Sequence, residues 1–458
     1  MLSYPGADPA HRPSLPGAPA ADNILLDARG HPVSGANPAA LESYESALAL
    51  FQRWGAGVQD ALAPALRQAP TFVMAHVLQA YLLVCGRDPR RVEAARPVLT
   101  RAARLPSDQR ESMHLAALTA VLEDDYELAK SRLGALLSSA PRDLLALQVA
   151  HAFDYVTGDT ERMRLRVEAV MPYWDSRLPG HHAVLAMHAF ALEECGQYQL
   201  AEEAARSALA LCPADARAHH VMAHIFEMTA QPAAGVQWMA QYAASWSAAS
   251  AVARHCWWHV ALFALARGRI DHALELYDRR IRPDRSAEVA DLIDASALLW
   301  RMQLSGAQPG QRWEELAAAW QAHIDDGFCS FNDIHAMLAF VGAGDGWRAQ
   351  RLESSLLQRQ SEQTRHAATT RELGLPACQA LRAFGSADYA RAIALLAGLP
   401  PATHRLGGSH AQRDILHLTL EKAVHMLRSV GDRFSEQRSG SDAASTSLPC
   451  RETGACAN

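Results

Sequence analysis

Apolar and alanine-rich segments with helical spacing recur along most of the chain, each about 12 to 18 residues long. Short turns that contain Gly, Pro or Asp separate these segments, whereas alternating runs of β-branched residues are rare. The pattern therefore predicts an all-α chain without a β-sheet.

The turns recur at a regular interval. Pro141 and Pro213 each follow an apolar segment and lie 72 residues apart, and the same interval separates Gly196 from Gly268. A repeat of about 36 residues follows, a length typical of helix-pair repeats. Among these the tetratricopeptide repeat (TPR) fits best, because two closely packed antiparallel helices need small residues where they meet.

One unit shows the TPR pattern clearly. In the segment 182–215 the small residues needed for close helix contact fall at Ala189, Ala201 and Ala208, and Pro213 ends the second helix. A single unit cannot bury its own apolar face, so roughly eight to ten helix pairs must stack. This predicts a TPR-like α-solenoid, a right-handed superhelix of antiparallel helix pairs whose first helices line a concave groove.

The solenoid is expected to cover residues 36–430. The Pro/Ala-rich segment 1–35 is expected to be disordered or loosely attached, and the Ser/Gly/Thr-rich tail 431–458 to be disordered, because neither can bury enough apolar surface. The inner helices of four pairs are expected at 70–85, 110–122, 216–228 and 254–266.

Composition narrows the partner classes. The 458 residues include 49 Asp and Glu against 43 Lys and Arg, without a basic run, so a nucleic-acid partner is not expected. No apolar stretch reaches the roughly 18 residues needed to span a bilayer, so a membrane partner is not expected either. The cysteines are scattered without a C-x-x-C pair, which favours a cytoplasmic protein.

Polar residues of unusual type follow the predicted groove face. On the helix 216–228, His220, His224 and Glu227 occupy three successive groove-facing positions. Imidazoles four residues apart lie about 5–6 Å from each other on one helix face, which allows both rings to bind one metal ion. Glu227 is a candidate third ligand or general base, and its carboxylate is expected to stay ionised.

The next unit places His255, Trp258 and His259 beside this first group. The spacing predicts that the four histidines form one cluster. Three interpretations stay open: a centre for a divalent metal such as zinc, a metal-free polar ligand or catalytic site, and a purely structural network. The cofactor is therefore not fixed by the sequence, since a pattern of the form HxxxHxxE is too common in helices to identify a metal.

Histidines also occupy the same groove position in two earlier units, at His76 and His114. Asp294 stands in an apolar helical stretch, where a carboxylate is costly unless it is paired, and a histidine cluster would pair it. All three are candidate ligand-binding residues.

Later polar motifs supply further candidates. Asn332 and Asp333 fit a helix N-cap, with His335 one turn further on. The run GGSHAQRD contains a Gly-Gly turn followed by Arg413 at a helix start, which suits either an anion site or a cap. These four residues are included in the candidate ligand site.

Two function classes remain open. Grooves that clamp a peptide carboxylate need several basic and amide residues, whereas this groove has His, Trp and Glu with a single arginine, Arg217. The sequence therefore predicts a His/Glu/Trp-lined site for a small polar molecule or a protein partner. The alternative is a metal- or His/Glu-dependent, hydrolase-like enzyme with His224 and Glu227 as its catalytic residues. Neither alternative indicates an oligomeric state.

Six motifs between about Asn37 and Arg428 resemble the tetratricopeptide repeat protein 38 family. They are PTFVMAH (70–76), HVMAHIFEM (220–228), WH (258–259), GQRW (310–313), FNDIH (331–335) and GGSHAQRD (407–414). The resemblance implies that HxxxHIxEM and FNDxH are family signatures, but it implies no activity. Animal members have a further histidine where this chain has Phe226, so position 226 is left out of the site.

Overall fold

The structure is a computed structural model that describes residues 25–86 and 88–444. Within these ranges the chain is helical and forms no β-strand, only two isolated bridges, Leu26 to Pro32 and Gly55 to Ser250. The predicted all-α helical-repeat fold is therefore confirmed.

The α-helices follow one another with short turns between them. In chain order they are α1 (Pro38–Gln52), α2 (Val58–Gln68), α3 (Val73–Val84), α4 (Pro89–Ala102), α5 (Gln109–Leu122), α6 (Tyr126–Ser139), α7 (Leu144–Thr157), α8 (Thr160–Val170), α9 (His181–Glu194), α10 (Tyr198–Leu211), α11 (Ala216–Met228), α12 (Pro232–Gln241), α13 (Ala243–Ser247), α14 (Ala253–Ala266), α15 (Ile270–Leu276), α16 (Val289–Leu304), α17 (Arg312–Trp320), α18 (Ser330–Gly342), α19 (Gly346–Arg359), α20 (Arg365–Thr369), α21 (Leu375–Gly385), α22 (Tyr389–Ala397) and α23 (His410–Ala444). Short 3₁₀ segments cover Met171–Tyr173, Gln321–His323 and Thr403–Leu406, and π-helical turns cover Tyr277–Ile281 and Thr370–Gly374.

The repeat arises from small contact residues and aspartate caps. Ala189, Ala201 and Ala208 are fully buried between α9, α10 and their neighbours, so the paired helices approach closely. Asp215 caps α11 by accepting a hydrogen bond from the Ala218 backbone N–H at 3.1 Å. The four inner helices predicted from the period correspond to α3, α5, α11 and α14.

The structure describes part of each terminal segment for which the sequence predicts disorder or loose attachment. In the N-terminal segment Arg29 is buried and pairs with Glu45 at 2.6 Å, while the Ser34 backbone N–H donates to Glu111 Oε1 at 2.9 Å. At the other end α23 continues to Ala444, so the backbone of 431–444 is helical. Residues 1–24 and 445–458 lie outside the described residues.

Early and late repeats contact each other, so the solenoid encloses its interior. The Arg90 guanidinium lies 3.0 Å from His323 Nδ1, and the Arg365 guanidinium lies over the Tyr126 ring at 4.7 Å. The segment that follows α1 contacts the turn between α13 and α14, where the Ala251 N–H donates to the Trp54 carbonyl at 2.9 Å. The concave face is therefore covered by contacts between early and late repeats.

The Gly-Gly turn in this interior leads directly into the N-terminal cap of α23. Gly408 has φ +82°, and a Cβ atom there would lie 2.5 Å from the Phe331 ring. Ser409 and Gln412 form a capping box, in which each side chain accepts a hydrogen bond from the other's backbone N–H, at 3.3 and 3.1 Å. Within the described residues, no helix is apolar over a length sufficient to cross a membrane.

Substitution of Ser409 by alanine is expected to lower the free energy of unfolding by about 1 kcal/mol, the usual effect of losing a helix N-cap. Equilibrium urea unfolding measures this change. Ser207→Ala is the matched control, because Ser207 Oγ donates to a carbonyl within α10 and caps no helix, so its effect should stay below about 0.5 kcal/mol. Equal losses in the two variants would contradict a capping role for Ser409.

Candidate metal centre

Helices α11 and α14 bring four histidines together in the protein interior. His220, His224, His255 and His259, here called the histidine cluster, each offer one ring nitrogen within 4.8 Å of the others. The Nε2 atoms of His220 and His224 are 3.0 Å apart. Two ligand nitrogens of a tetrahedral zinc ion lie about 3.3 Å apart, given bonds of about 2.0–2.1 Å. The cluster therefore has roughly the dimensions of a metal centre.

Carboxylates of other helices lie close to the Nδ1 atom of three of these rings, with hydrogen bonds to His255 and His259 and a contact to His224 that is not a hydrogen bond. The pairs are His224 with Glu193 of α9 at 3.3 Å, His255 with Asp294 of α16 at 2.8 Å, and His259 with Glu227 of α11 at 2.7 Å. In each ring Nε2 is then the nitrogen turned away from the carboxylate. Metal-binding histidines are commonly oriented in this way, with the second ring nitrogen bonded to a carboxylate.

The fourth ring has aromatic neighbours instead of a carboxylate. His220 packs against Trp54 and Phe190 with ring centroids 5.5 and 5.9 Å apart. Its Nδ1 atom makes no hydrogen bond to any residue that the structure describes, and the same holds for Nε2 of His259. These are buried polar atoms without a partner, which a native site normally supplies with a ligand, an ion or water.

Electrostatics keeps most of the cluster neutral. Burial lowers the pKa of His220 and His259 well below the usual range and lowers that of His224 to about 4. For His255 burial acts in the same direction, but the Asp294 carboxylate outweighs it and raises the pKa. Three of the four imidazoles are therefore neutral at pH 7, the form that binds a metal.

Glu227 differs from its predicted state. Burial raises its pKa to about 8, against the opposing effect of Arg301, so the prediction that this carboxylate stays ionised is wrong for the metal-free protein at pH 7. Its contact with Nδ1 places it on the outer side of His259 rather than among the converging ring nitrogens. The position fits a residue that orients His259 better than a direct ligand.

Two buried glutamates at the end of α9 were missed by the sequence analysis. Besides its contact with His224, Glu193 has a pKa raised to about 8 by burial, and Glu194 one raised to about 7. Glu194 accepts a hydrogen bond from the His410 backbone N–H at 3.2 Å and lies 3.6 Å from the Arg413 guanidinium. The sequence feature that could have identified them is the pair of adjacent glutamates at the end of α9.

The remaining members of the predicted site near the cluster are Trp258 and Arg413. Trp258 is fully buried and stacks on His255 with centroids 5.3 Å apart, while Arg301 lies over its indole at 5.4 Å. The Arg413 guanidinium donates to the Gly408 carbonyl. Trp258 thus fixes the orientation of His255 through packing.

A pocket of about 540 Å³ that opens to the surface is bordered by Glu227. Met228, Pro401, Thr403 and Ala411 contribute to its wall, together with five polar residues of the 3₁₀ segment and α23. These are His404, His410, Arg413, Asp414 and His417. The pocket offers small molecules a route towards the outer side of the cluster.

His76 and His114 lie in the N-terminal repeats with partners of their own. His76 Nε2 is 2.9 Å from the Pro70 carbonyl oxygen. His114 lies between the Tyr81 hydroxyl at 3.1 Å and the Asp143 carboxylate at 3.0 Å. The structure therefore does not bring these two histidines into the cluster.

The residues predicted at the start of α18 have other contacts as well. The helix begins at Ser330 after Cys329, without a side-chain cap, so the N-cap interpretation of Asn332 and Asp333 is wrong. Asp333 instead contacts His366 Nε2 at 2.8 Å. His335 Nδ1 donates to the backbone carbonyl one turn earlier at 2.7 Å, and Asn332 is buried on the same helix.

No family model matches the chain. Solved structures that align with this one include the human IFIT1 dimer with m7Gppp-AAAA. The alignment has 14% identity over 90% of this chain and 88% of that chain, with a TM-score of 0.42. A monomeric IFIT1 mutant with Gppp-AAAA has 13% identity over 88% and 89%, with a TM-score of 0.43. The P58(IPK) TPR domain has 15% identity over 85% and 98%, with a TM-score of 0.22.

These comparisons correct one prediction. The expectation that nucleic acid is not a partner class is corrected by the IFIT1 structures, which were solved with m7Gppp-AAAA, Gppp-AAAA and PPP-AAAA.

Proposed function

We propose that the histidine cluster binds one divalent transition-metal ion such as zinc, and that this centre is the binding site for a small polar ligand inside the solenoid. The observation that carries the proposal is the pairing of His224, His255 and His259 with three carboxylates from three helices. A packing network has no need to bring one ring nitrogen from each of four histidines within 4.8 Å of the others.

The charges around the cluster support the same conclusion. Burial raises the pKa of Glu193 and of Glu227 to about 8, so it disfavours the ionised form of both carboxyl groups. A bound divalent cation would supply the positive charge that stabilises them. The positive charge of the metal and the negative charges of the carboxylates would therefore stabilise each other, whereas burying either charge alone is unfavourable.

Elemental analysis of protein purified without a histidine tag tests the proposal. About one zinc-class ion per chain is expected, the stoichiometry of a single four-ligand site. Substitution with Co²⁺ should give the visible absorption typical of tetrahedral coordination, and the loss of that absorption on adding Zn²⁺ would show that both ions use one site. Protein that neither contains nor takes up a metal would contradict the proposal.

Glu227→Gln is expected to weaken metal binding about 10- to 100-fold, the usual effect of removing a carboxylate that orients a metal-binding histidine. Glutamine keeps the shape of the neutral acid, so the melting temperature of the metal-free protein should barely change. Competition with a chelating dye measures the affinity. The control is Glu202→Gln, an exposed residue paired with Arg206 on α10. Lower stability with unchanged affinity would instead indicate a packing role.

A hydrolase-like enzyme is the second candidate function, and the pocket beside Glu227 and Arg413 favours it. A metal ion would lower the pKa of a bound water. His224 and Glu227 are the proposed catalytic residues: His224 would be a ligand of that ion, and Glu227 would act through His259, whose Nδ1 it contacts at 2.7 Å. Comparison of metal-loaded and metal-free protein on a panel of small esters, amides and phosphate esters tests this. Equal rates for the two forms would contradict catalysis by this centre.

Membership of the tetratricopeptide repeat protein 38 family remains part of the proposal, supported by the six sequence motifs. The HVMAHIFEM motif contributes His220, His224 and Glu227 to the centre, and WH contributes His259. A cytoplasmic location is proposed on the ground of the scattered cysteines.

A further inference from the structure

Arg217, in the first turn of α11, is a buried arginine without a counter-charge. Only 3% of its surface is exposed, and among the described residues it forms no salt bridge. Its Nε and Nη1 atoms make no hydrogen bond there either. The carboxylate of Asp215, two residues earlier, already caps α11 and contacts His182 Nδ1 at 2.7 Å.

Such an arrangement is unusual because a buried charge is costly unless it is paired. Burial lowers the pKa of Arg217 to about 10, so the guanidinium remains charged at neutral pH. Its donors form a planar fork that matches the two oxygens of a carboxylate or phosphate. An oxyanion from a ligand would supply both the missing charge and the missing acceptors.

The arginine borders the histidine cluster on the side of Trp54. The Arg217 guanidinium lies over the Trp54 ring at 4.8 Å, and the same ring packs against His220 at 5.5 Å. His220 Nδ1, also buried, lacks a hydrogen-bond partner among the described residues. Trp54 and His255 beside them are partly exposed.

We propose that Arg217, together with Trp54 and His220, binds the oxyanion of a small carboxylate- or phosphate-bearing ligand whose remaining polar part faces the histidine cluster. The inference rests on the proposed ligand site and names its substrate class, a small organic anion. The arginine fork binds the oxyanion, the indole packs against the adjoining part of the ligand, and His220 contributes a further polar contact.

Calorimetric titration of the full chain with inorganic phosphate and, separately, with acetate tests this inference, with and without metal. Arg217→Met should weaken binding of the preferred anion at least about 10-fold, as expected for losing charge-assisted hydrogen bonds. It should leave the melting temperature unchanged or higher, because it removes an unpaired buried charge. Arg217→Lys keeps the charge without the fork and should weaken binding less.

Arg206→Met is the matched control, since Arg206 also lies over an indole, that of Trp238, at 5.0 Å, but is exposed. It should leave anion binding unchanged. Tighter binding of phosphate than acetate would identify a phosphoryl ligand, and the reverse order a carboxylate ligand.

Two results would overturn the inference: wild-type protein that binds neither anion, or an Arg217→Met variant that melts several degrees lower and binds the anion as the wild type does. Measuring the metal content of the same protein shows which of the two proposals is refuted, the oxyanion site or the metal centre. A metal-containing protein without anion binding refutes only the oxyanion site. A metal-free protein with Arg217-dependent anion binding refutes only the metal centre.

Discussion

Replacing His224 and His259 together by glutamine is expected to abolish metal binding. The double variant keeps only His220 and His255 of the histidine cluster, and two nitrogens do not satisfy the four-coordinate geometry of zinc. Four-ligand structural zinc sites have apparent binding free energies of about 10–16 kcal/mol, so the loss of two ligands should lower the affinity at least about 1000-fold. Zinc per chain should fall from about one to near zero.

Chelation provides the second measurement for this variant. A metal that binds only the folded state stabilises it by about 4 kcal/mol when its free concentration is 1000 times its dissociation constant. EDTA should therefore lower the melting temperature of the wild type and leave that of the double variant unchanged. His76→Gln is the control, because glutamine can still donate to the Pro70 carbonyl there. A double variant with a full complement of metal would contradict the assignment of these ligands.

The position of the cluster could be predicted because repeats convert sequence period into spatial adjacency. One interval of 72 residues placed α11 after Pro213 and the other placed α14 before Gly268, in neighbouring repeats of about 36 residues. The spacing of four within each histidine pair put both rings on one helix face. A partner for Asp294 was predicted because burying a lone carboxylate is unfavourable. The structure shows this partner as His255, whose Nδ1 lies 2.8 Å from the carboxylate.

The surroundings of the cluster depend on contacts between distant segments, which no local pattern contains. Glu193 reaches His224 from the preceding repeat, and Trp54 reaches His220 from a loop that follows α1. The raised pKa of Glu227 has the same origin, because the extent of burial depends on helices that pack around it. The turn before α23 closes the interior; its sequence motif left a cap and an anion site as alternatives, and the contacts of Ser409 and Gln412 show the cap.

Histidines at one repeat position have different roles, and Asp143 shows why His114 belongs to the fold. The Asp143 carboxylate is 2.8 Å from the Arg110 guanidinium and 3.0 Å from His114 Nε2, and it caps α7 through the Ala146 N–H at 2.9 Å. All three groups around it are partly or fully buried. A residue in this network cannot also present its ring to a ligand, because both ring nitrogens are already engaged.

Asp143→Ala is therefore expected to lower the free energy of unfolding by about 3–5 kcal/mol, because it leaves the charge of Arg110 buried without its partner. Burial opposes ionisation of Asp143, but His114 and Arg110 outweigh it and hold its pKa well below the usual range. Its contribution is then fully present above about pH 4 and is lost only as the pH falls towards the folded-state pKa.

Urea unfolding at pH 7 compares this variant with Asp125→Ala, in which an exposed aspartate only caps α6, so about 1 kcal/mol should be lost. Metal content should stay at the wild-type level in both variants, since Asp143 belongs to the α5–α7 region and the histidine cluster to α11 and α14. If Asp143→Ala lost metal while remaining as stable as Asp125→Ala, the N-terminal network would belong to the ligand site after all, and the division between structural and metal-binding histidines drawn from their contacts would be wrong.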